Sequence, residues 1–210
     1  MELDDKNLSE EVLEEVEQEV LSKAEEDGGF FKNTLKPVIK DLIFYAVLFA
    51  VCLYVIPNFV IERTLVDGSS MESTLLDGEN VMVEKVSRYF KAVDRFDVIV
   101  FRPDGKNVDY IKRVIGLPGE TVQIKGATIY IDGEPLTEFY GKDAISYPGR
   151  AFEAITLAEN EYFVLGDNRR ISEDSRYDIV GNVRLDQIVG KAFIRVSPIS
   201  KFGDFDKIYK

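Results

Sequence analysis

The 210-residue chain has no histidine, no tryptophan and a single cysteine, Cys52. Without histidine there is no Ser-His-Asp triad, no Cys-His dyad and no His-ligated metal site. One cysteine excludes an internal disulfide and a cysteine-rich zinc site, so no metal centre is expected. Any catalysis falls to hydroxyls, carboxylates, Lys, Arg, Tyr and backbone groups. Basic charge is also scarce: the net charge is −12, and residues 1–29 carry twelve Asp or Glu against two Lys. The low isoelectric point therefore belongs to a tail, and the remainder is nearly neutral. A basic stripe suited to nucleic acid is missing, which removes nucleic acid as a partner.

What the tail does have is a period. Val12, Val16, Val20 and Ala24 recur every four residues beside Leu13 and Leu21, with Glu on the other side. That spacing predicts an amphipathic helix, opened by a capping box from Asn7 to Glu10 and closed at Gly28-Gly29. A solvated helix and a docking or self-association helix fit the stripe equally. Residues 42–60 (LIFYAVLFAVCLYVIPNFV) then run for 19 residues without a charge, and about 20 apolar residues span a bilayer. The run starts too far along the chain for a cleavable signal peptide and shows no polar side for a soluble helix. Lys32, Lys36 and Lys40 precede it and Arg63 follows, so the positive-inside rule places the N-terminus in the cytoplasm and residues 62–210 outside.

Beyond the span the pattern shortens to β-rich runs at residues 80–86, 97–101, 108–115, 120–125, 127–131, 161–165 and 187–196. Asp132-Gly133 between apolar runs is a hairpin signal, and residues 134–160 read as loop. A mostly antiparallel β-domain is expected. Two segments are dense in small polar residues, 67–75 (DGSSMESTL) and 166–176 (GDNRRISEDSR), and each taken alone fits an ordinary turn. The candidate amine bases are Lys85, Lys112, Lys125 and Lys191. In VDYIKRVI, alternation sets Lys112 beside Tyr110 and Val114, an apolar setting of the kind that lowers a lysine pKa. A lysine snorkelling off a sheet edge fits the same pattern.

At these residues the chain resembles bacterial type I signal peptidase (leader peptidase) of the Gram-positive kind, a membrane-bound Ser-Lys serine protease. Four blocks match in order: SMESTL (70–75), RFDVIVF (95–101), YIKRVIGLPGE (110–120) and GDNRRISEDSR (166–176). The resemblance covers roughly residues 62–196 and leaves the acidic tail outside. It implies Ser70 as nucleophile, Lys112 as general base, and Ser172 orienting the lysine amine. Asp167, Arg169, Asp174 and Arg176 would brace the site. Pockets for small side chains one and three residues before the cut would be walled by Val66, Met71, Leu75, Val81, Val100, Tyr110 and Ile111. Two positions depart from the family pattern. Ser73 stands where Pro is usual, and Gly68 stands where some members carry a serine that helps to bind the oxyanion.

The organisation implied is a cytoplasmic acidic tail over residues 1–40, a transmembrane helix over 41–61, a catalytic β-domain from 62–120 and 162–210, and a small β cap over 121–161. The implied activity is removal of signal peptides from secreted preproteins at the cell membrane, in contact with lipid and without a cofactor. Service to general secretion and to a dedicated substrate such as a pilin precursor both remain open. The runner-up is a non-cleaving surface relative that chaperones exported or pilus subunits, against which the chain keeps both Ser70 and Lys112. A soluble Ser-Lys autoprotease of the repressor type shares the dyad and fails on the membrane span.

Overall fold

The computed structural model describes residues 14–19, 36–90, 93–141, 143–203 and 205. It divides into two compact units, one reaching to Val55 and one from Ile56 onward. Within the tail, residues 14–19 are helical and exposed, and Val16 points to solvent. The predicted caps, the rest of the stripe and Lys32 lie outside the described residues. A second helix runs over Lys36–Ala50 and continues as a π-helix over Val51–Val60. Pro37 sits in its first turn, where a missing N–H costs nothing. Its 25 residues include an 18-residue stretch of mean hydropathy 2.2, so it is long and apolar enough to cross a membrane. Leu42, Phe44, Phe49 and Tyr54 are each more than 60% exposed, and no described residue of this helix is buried. A helix apolar on all sides needs a non-aqueous surround.

From Ile61 the chain is β-structure. A seven-stranded sheet holds β1 (Ile61–Leu65), β2 (Asn80–Glu84), β3 (Val98–Phe101), β4 (Tyr110–Gly116), β9 (Glu161–Leu165), β10 (Val183–Arg184) and β11 (Ile188–Ser197). Their order is β1-β2-β11-β3-β4-β9-β10, and every pairing is antiparallel. VIVF of β3, at the centre of the sheet, is buried throughout, whereas NVMVE of β2 alternates. A continuous apolar run belongs to a strand covered on both sides, and alternation to one covered on a single side. A smaller antiparallel sheet orders β7 (Glu134–Pro135), β6 (Thr128–Ile131), β5 (Thr121–Lys125) and β8 (Ile155–Thr156). The Asp132-Gly133 turn joins β6 to β7 with φ of 51° and 88°, the paired left-handed conformation that a two-residue hairpin of this kind requires.

Three apolar clusters fill the β-unit. One gathers Val66, Met71, Leu75, Val81, Val83, Val98, Val100 and Ile111 beneath the loop after β1. A second joins Ile115, Phe163 and Leu165 of the large sheet to Val122, Ile124 and Ile129 of the small one, so the two sheets share a core. The third packs Ile99, Phe101 and Val114 against Tyr162 and Val164. Two-residue strands at β7 and β8, and a 3-10 turn over Gly149–Phe152, occupy the stretch expected to be loop.

Candidate active site

The loop between β1 and β2 is folded tightly enough to fix a side chain. The Val66 N–H donates to Glu79 O at 2.8 Å, the Gly78 N–H to Val66 O at 3.0 Å, and the Gly68 N–H to Asp77 Oδ1 at 2.8 Å. A tight turn follows, in which the Thr74 and Leu75 N–H groups both reach Met71 O at 2.9 Å. Met71 and Leu75 drive this turn into the first core cluster, and Ser70 is left at its rim, half-buried. The Asn168 N–H holds the Ser70 carbonyl at 3.0 Å and so pins it to the 166–176 loop. Among the described residues no hydrogen bond uses the Ser70 N–H.

Lys112 sits on β4, paired with Ile99 of β3, and only 4% of it is exposed. Its Nζ donates to Ser70 Oγ at 2.9 Å and to Ile111 O at 3.0 Å, and lies 5.3 Å from the centre of the Tyr110 ring. Burial lowers its pKa from 10.5 to about 8, against the carboxylates of Asp174, Glu173 and Asp167, which favour the charged form. Two of those carboxylates are themselves neutralised. Asp174 is held in a fork by Arg176 at 2.8 and 2.9 Å, and Asp167 by Arg113 at 3.0 and 2.8 Å. The other candidate bases are engaged elsewhere: Lys85 pairs with Glu62 at 2.6 Å, Lys191 with Asp97 at 3.2 Å, and exposed Lys125 lies over Tyr130.

The 166–176 loop supplies the frame. Leu165 pairs with Arg113 in the sheet, so Asp167, two residues on, is directed at the same guanidinium. Thr74 donates to Asp167 and receives Arg113 Nη2 at 3.2 Å, which ties the nucleophile's turn to that ion pair. Arg169 donates to Gly166 O at 3.0 Å and to Glu138 of the small-sheet region at 2.6 Å. Gly166 has no room for a side chain: a Cβ would stand 2.5 Å from Ser70 O and 2.2 Å from Ser172 Oγ. Ser172 is buried, but among the described residues its hydroxyl has no hydrogen-bond partner, so the bond expected from it to the Lys112 amine is not formed here.

Of the residues expected to wall the pockets, Val66, Met71, Tyr110 and Ile111 line a cleft of about 370 Å³ that also exposes Ser70 and Lys112. Leu75, Val81 and Val100 lie behind it in the core. Three functional neighbours escaped the sequence reading: Arg113, Thr74 and Glu138. A second cation next to Lys112 in an otherwise apolar strand is a signal for Arg113, because a buried guanidinium demands a counter-ion. Glu138 lies in weakly patterned chain and carries no such signal.

This geometry joins a hydroxyl to a buried amine with a depressed pKa, a pair suited to nucleophilic catalysis. A family model described as signal peptidase, peptidase S26, matches residues 38–197. Signal peptidase I of Bacillus licheniformis is 41% identical over 159 residues, which cover 72% of this chain and 83% of that protein. Signal peptidase IB of Staphylococcus aureus (strain COL) is 34% identical over 182 residues, 80% of this chain and 93% of that protein. A crystal structure of a signal peptidase I from Enterococcus faecalis V583 aligns at 37% identity over 47% of this chain and 94% of its own, with a TM-score of 0.40.

Proposed function

Since the chain belongs to the signal peptidase family of S26 peptidases, which are serine-type endopeptidases, we propose that Ser70 and Lys112 form the dyad with which it removes N-terminal signal peptides from exported preproteins. The observation that carries this reading is the 2.9 Å contact between Lys112 Nζ and Ser70 Oγ inside the cleft. A lysine at its ordinary pKa is almost wholly protonated at neutral pH. Lowered to about 8, about a tenth of it is neutral at pH 7, a gain of several hundredfold in available base.

The neutral amine takes the Ser70 proton as Oγ attacks the scissile carbonyl. The charge that develops on the carbonyl oxygen is met by the Ser70 N–H. The Lys112 ammonium then returns its proton to the leaving amine, and the signal peptide remains as an acyl ester on Ser70. Lys112, neutral again, deprotonates a water that attacks the ester, and the proton it holds is delivered to Ser70 Oγ as the acid departs. The arginine-bound carboxylates Asp167 and Asp174 frame the loop, and Ser172 is the hydroxyl we assign to orienting the amine. Val66, Met71, Tyr110 and Ile111 leave a shallow apolar wall, which favours small side chains before the cut.

We place the protein in the cell membrane through the Lys36–Val60 helix, crossing once, with the N-terminus cytoplasmic and the β-domain outside. The supports are the length of that helix and the three lysines, Lys32, Lys36 and Lys40, that precede its uncharged run. The test is cleavage. Full-length protein in detergent, given a secretory preprotein, yields a mature product whose new N-terminus follows a small residue, and Ser70→Ala yields none. Cleavage by Ser70→Ala at the wild-type rate would assign the nucleophile elsewhere.

A further inference from the structure

The cleft beside Ser70 is acidic at its rim. Its charged lining consists of buried Lys112 and exposed Asp67, Asp109 and Glu173. Asp109 is already claimed by Arg102, at 2.7 and 3.1 Å. Glu173 is held differently: its Oε2 accepts the Tyr110 hydroxyl at 3.0 Å, and among the described residues no ion pair engages it. That bond spans the join between β4 and the 166–176 loop and fixes the carboxylate over the wall that also carries Lys112, two residues along the strand. The carboxylate is close enough to be felt at the Lys112 amine, where it ranks second among the charges after Asp174. Asp174 is also bound in a fork by Arg176, whereas among the described residues Glu173 has no guanidinium against it.

We infer that Glu173, held at the cleft mouth by the Tyr110 hydroxyl, selects substrates by charge, favouring a basic over an acidic side chain near the cut. The inference rests on the reading that this cleft receives the peptide to be cleaved. An extended peptide lying against Tyr110 and Ile111 brings one of its side chains past Glu173. An ammonium or guanidinium there gains an ion pair and a carboxylate meets repulsion. Both effects are those of partly solvated charges, modest singly and additive in a ratio.

The experiment uses full-length protein in detergent and peptides that differ only in carrying Lys, Gln or Glu at one position flanking the cut. At one position, or two neighbouring ones, kcat/KM is expected to fall in the order Lys, Gln, Glu, spanning about tenfold at low salt and narrowing as salt is added. Glu173→Gln brings the Lys-to-Glu ratio close to one, and Glu173→Lys inverts it. A merely structural role would slow all three peptides alike and cannot invert their order. Wild-type cleavage without discrimination, or discrimination that survives Glu173→Gln, overturns this inference alone. Failure to cut any of the peptides overturns the underlying reading and this inference with it.

Discussion

Lys112 at about 8 is half neutral at pH 8 and about 1% neutral at pH 6. Deprotonation rises with pH, so kcat/KM is expected to climb about fiftyfold from pH 6 to pH 8 and to gain only about twofold above that. A pH series on a neutral peptide reads this directly, and a limb near 10.5 would mean that the amine is solvated in the working enzyme. Gly68 is the other residue whose chemistry can be isolated. It lines the cleft with φ of +89°, and a Cβ added there meets nothing within 4 Å. The cost of a side chain is therefore backbone strain, about 1–2 kcal/mol for Gly68→Ala and Gly68→Ser alike. If a hydroxyl at this position reaches the oxyanion, the serine variant exceeds the alanine variant in kcat by up to about tenfold. Equal kcat values at equal stability would exclude that role.

At the scale of elements, the 166–176 loop depends on ion pairs buried completely, as Arg113 with Asp167 and Arg176 with Asp174 are. Asp167→Asn keeps the shape and removes the charge, which leaves a guanidinium buried without its counter-ion. Urea unfolding is expected to show a loss of about 3–5 kcal/mol, and activity falls with it. Asp104→Asn, at the exposed pair with Arg184, is the comparison and shifts stability far less. An equal shift in the two variants would mean that the buried pair does not hold the loop. The strands that form this frame are largely legible from period alone: 161–165 is β9, the expected 97–101 differs from β3 by one residue at its start, and 187–196 differs from β11 by one residue at each end. What was missed has physical reasons. β1 (IERTL) is an edge strand with little buried face, and β7, β8 and β10 are two-residue pairings fixed by their neighbours rather than by a hydrophobic repeat. Within the site, Ser70 and Lys112 were nameable only through ordered blocks of resemblance, because a small-residue turn and a strand lysine each have ordinary explanations. The partner Glu138 depends on its contact with Arg169, between distant segments, which no local pattern records.

At the scale of the whole molecule, an apolar helix long enough to cross a membrane precedes a β-domain of an endopeptidase family. Protease added to protoplasts is expected to degrade the β-domain and spare an N-terminal tag, and protection of the β-domain would contradict the orientation. The central claim is that a neutral Lys112 activates Ser70, and it rests on one contact and one depressed pKa. Its most direct test is cleavage of a preprotein by full-length Lys112→Arg, compared with wild type from pH 6 to pH 10 under otherwise identical conditions. Arginine keeps the positive charge but does not deprotonate in this range. No cleavage by Lys112→Arg is expected at any of these pH values, with its unfolding transition still cooperative. Cleavage near the wild-type rate would show that position 112 needs only a cation, and the dyad would be wrong.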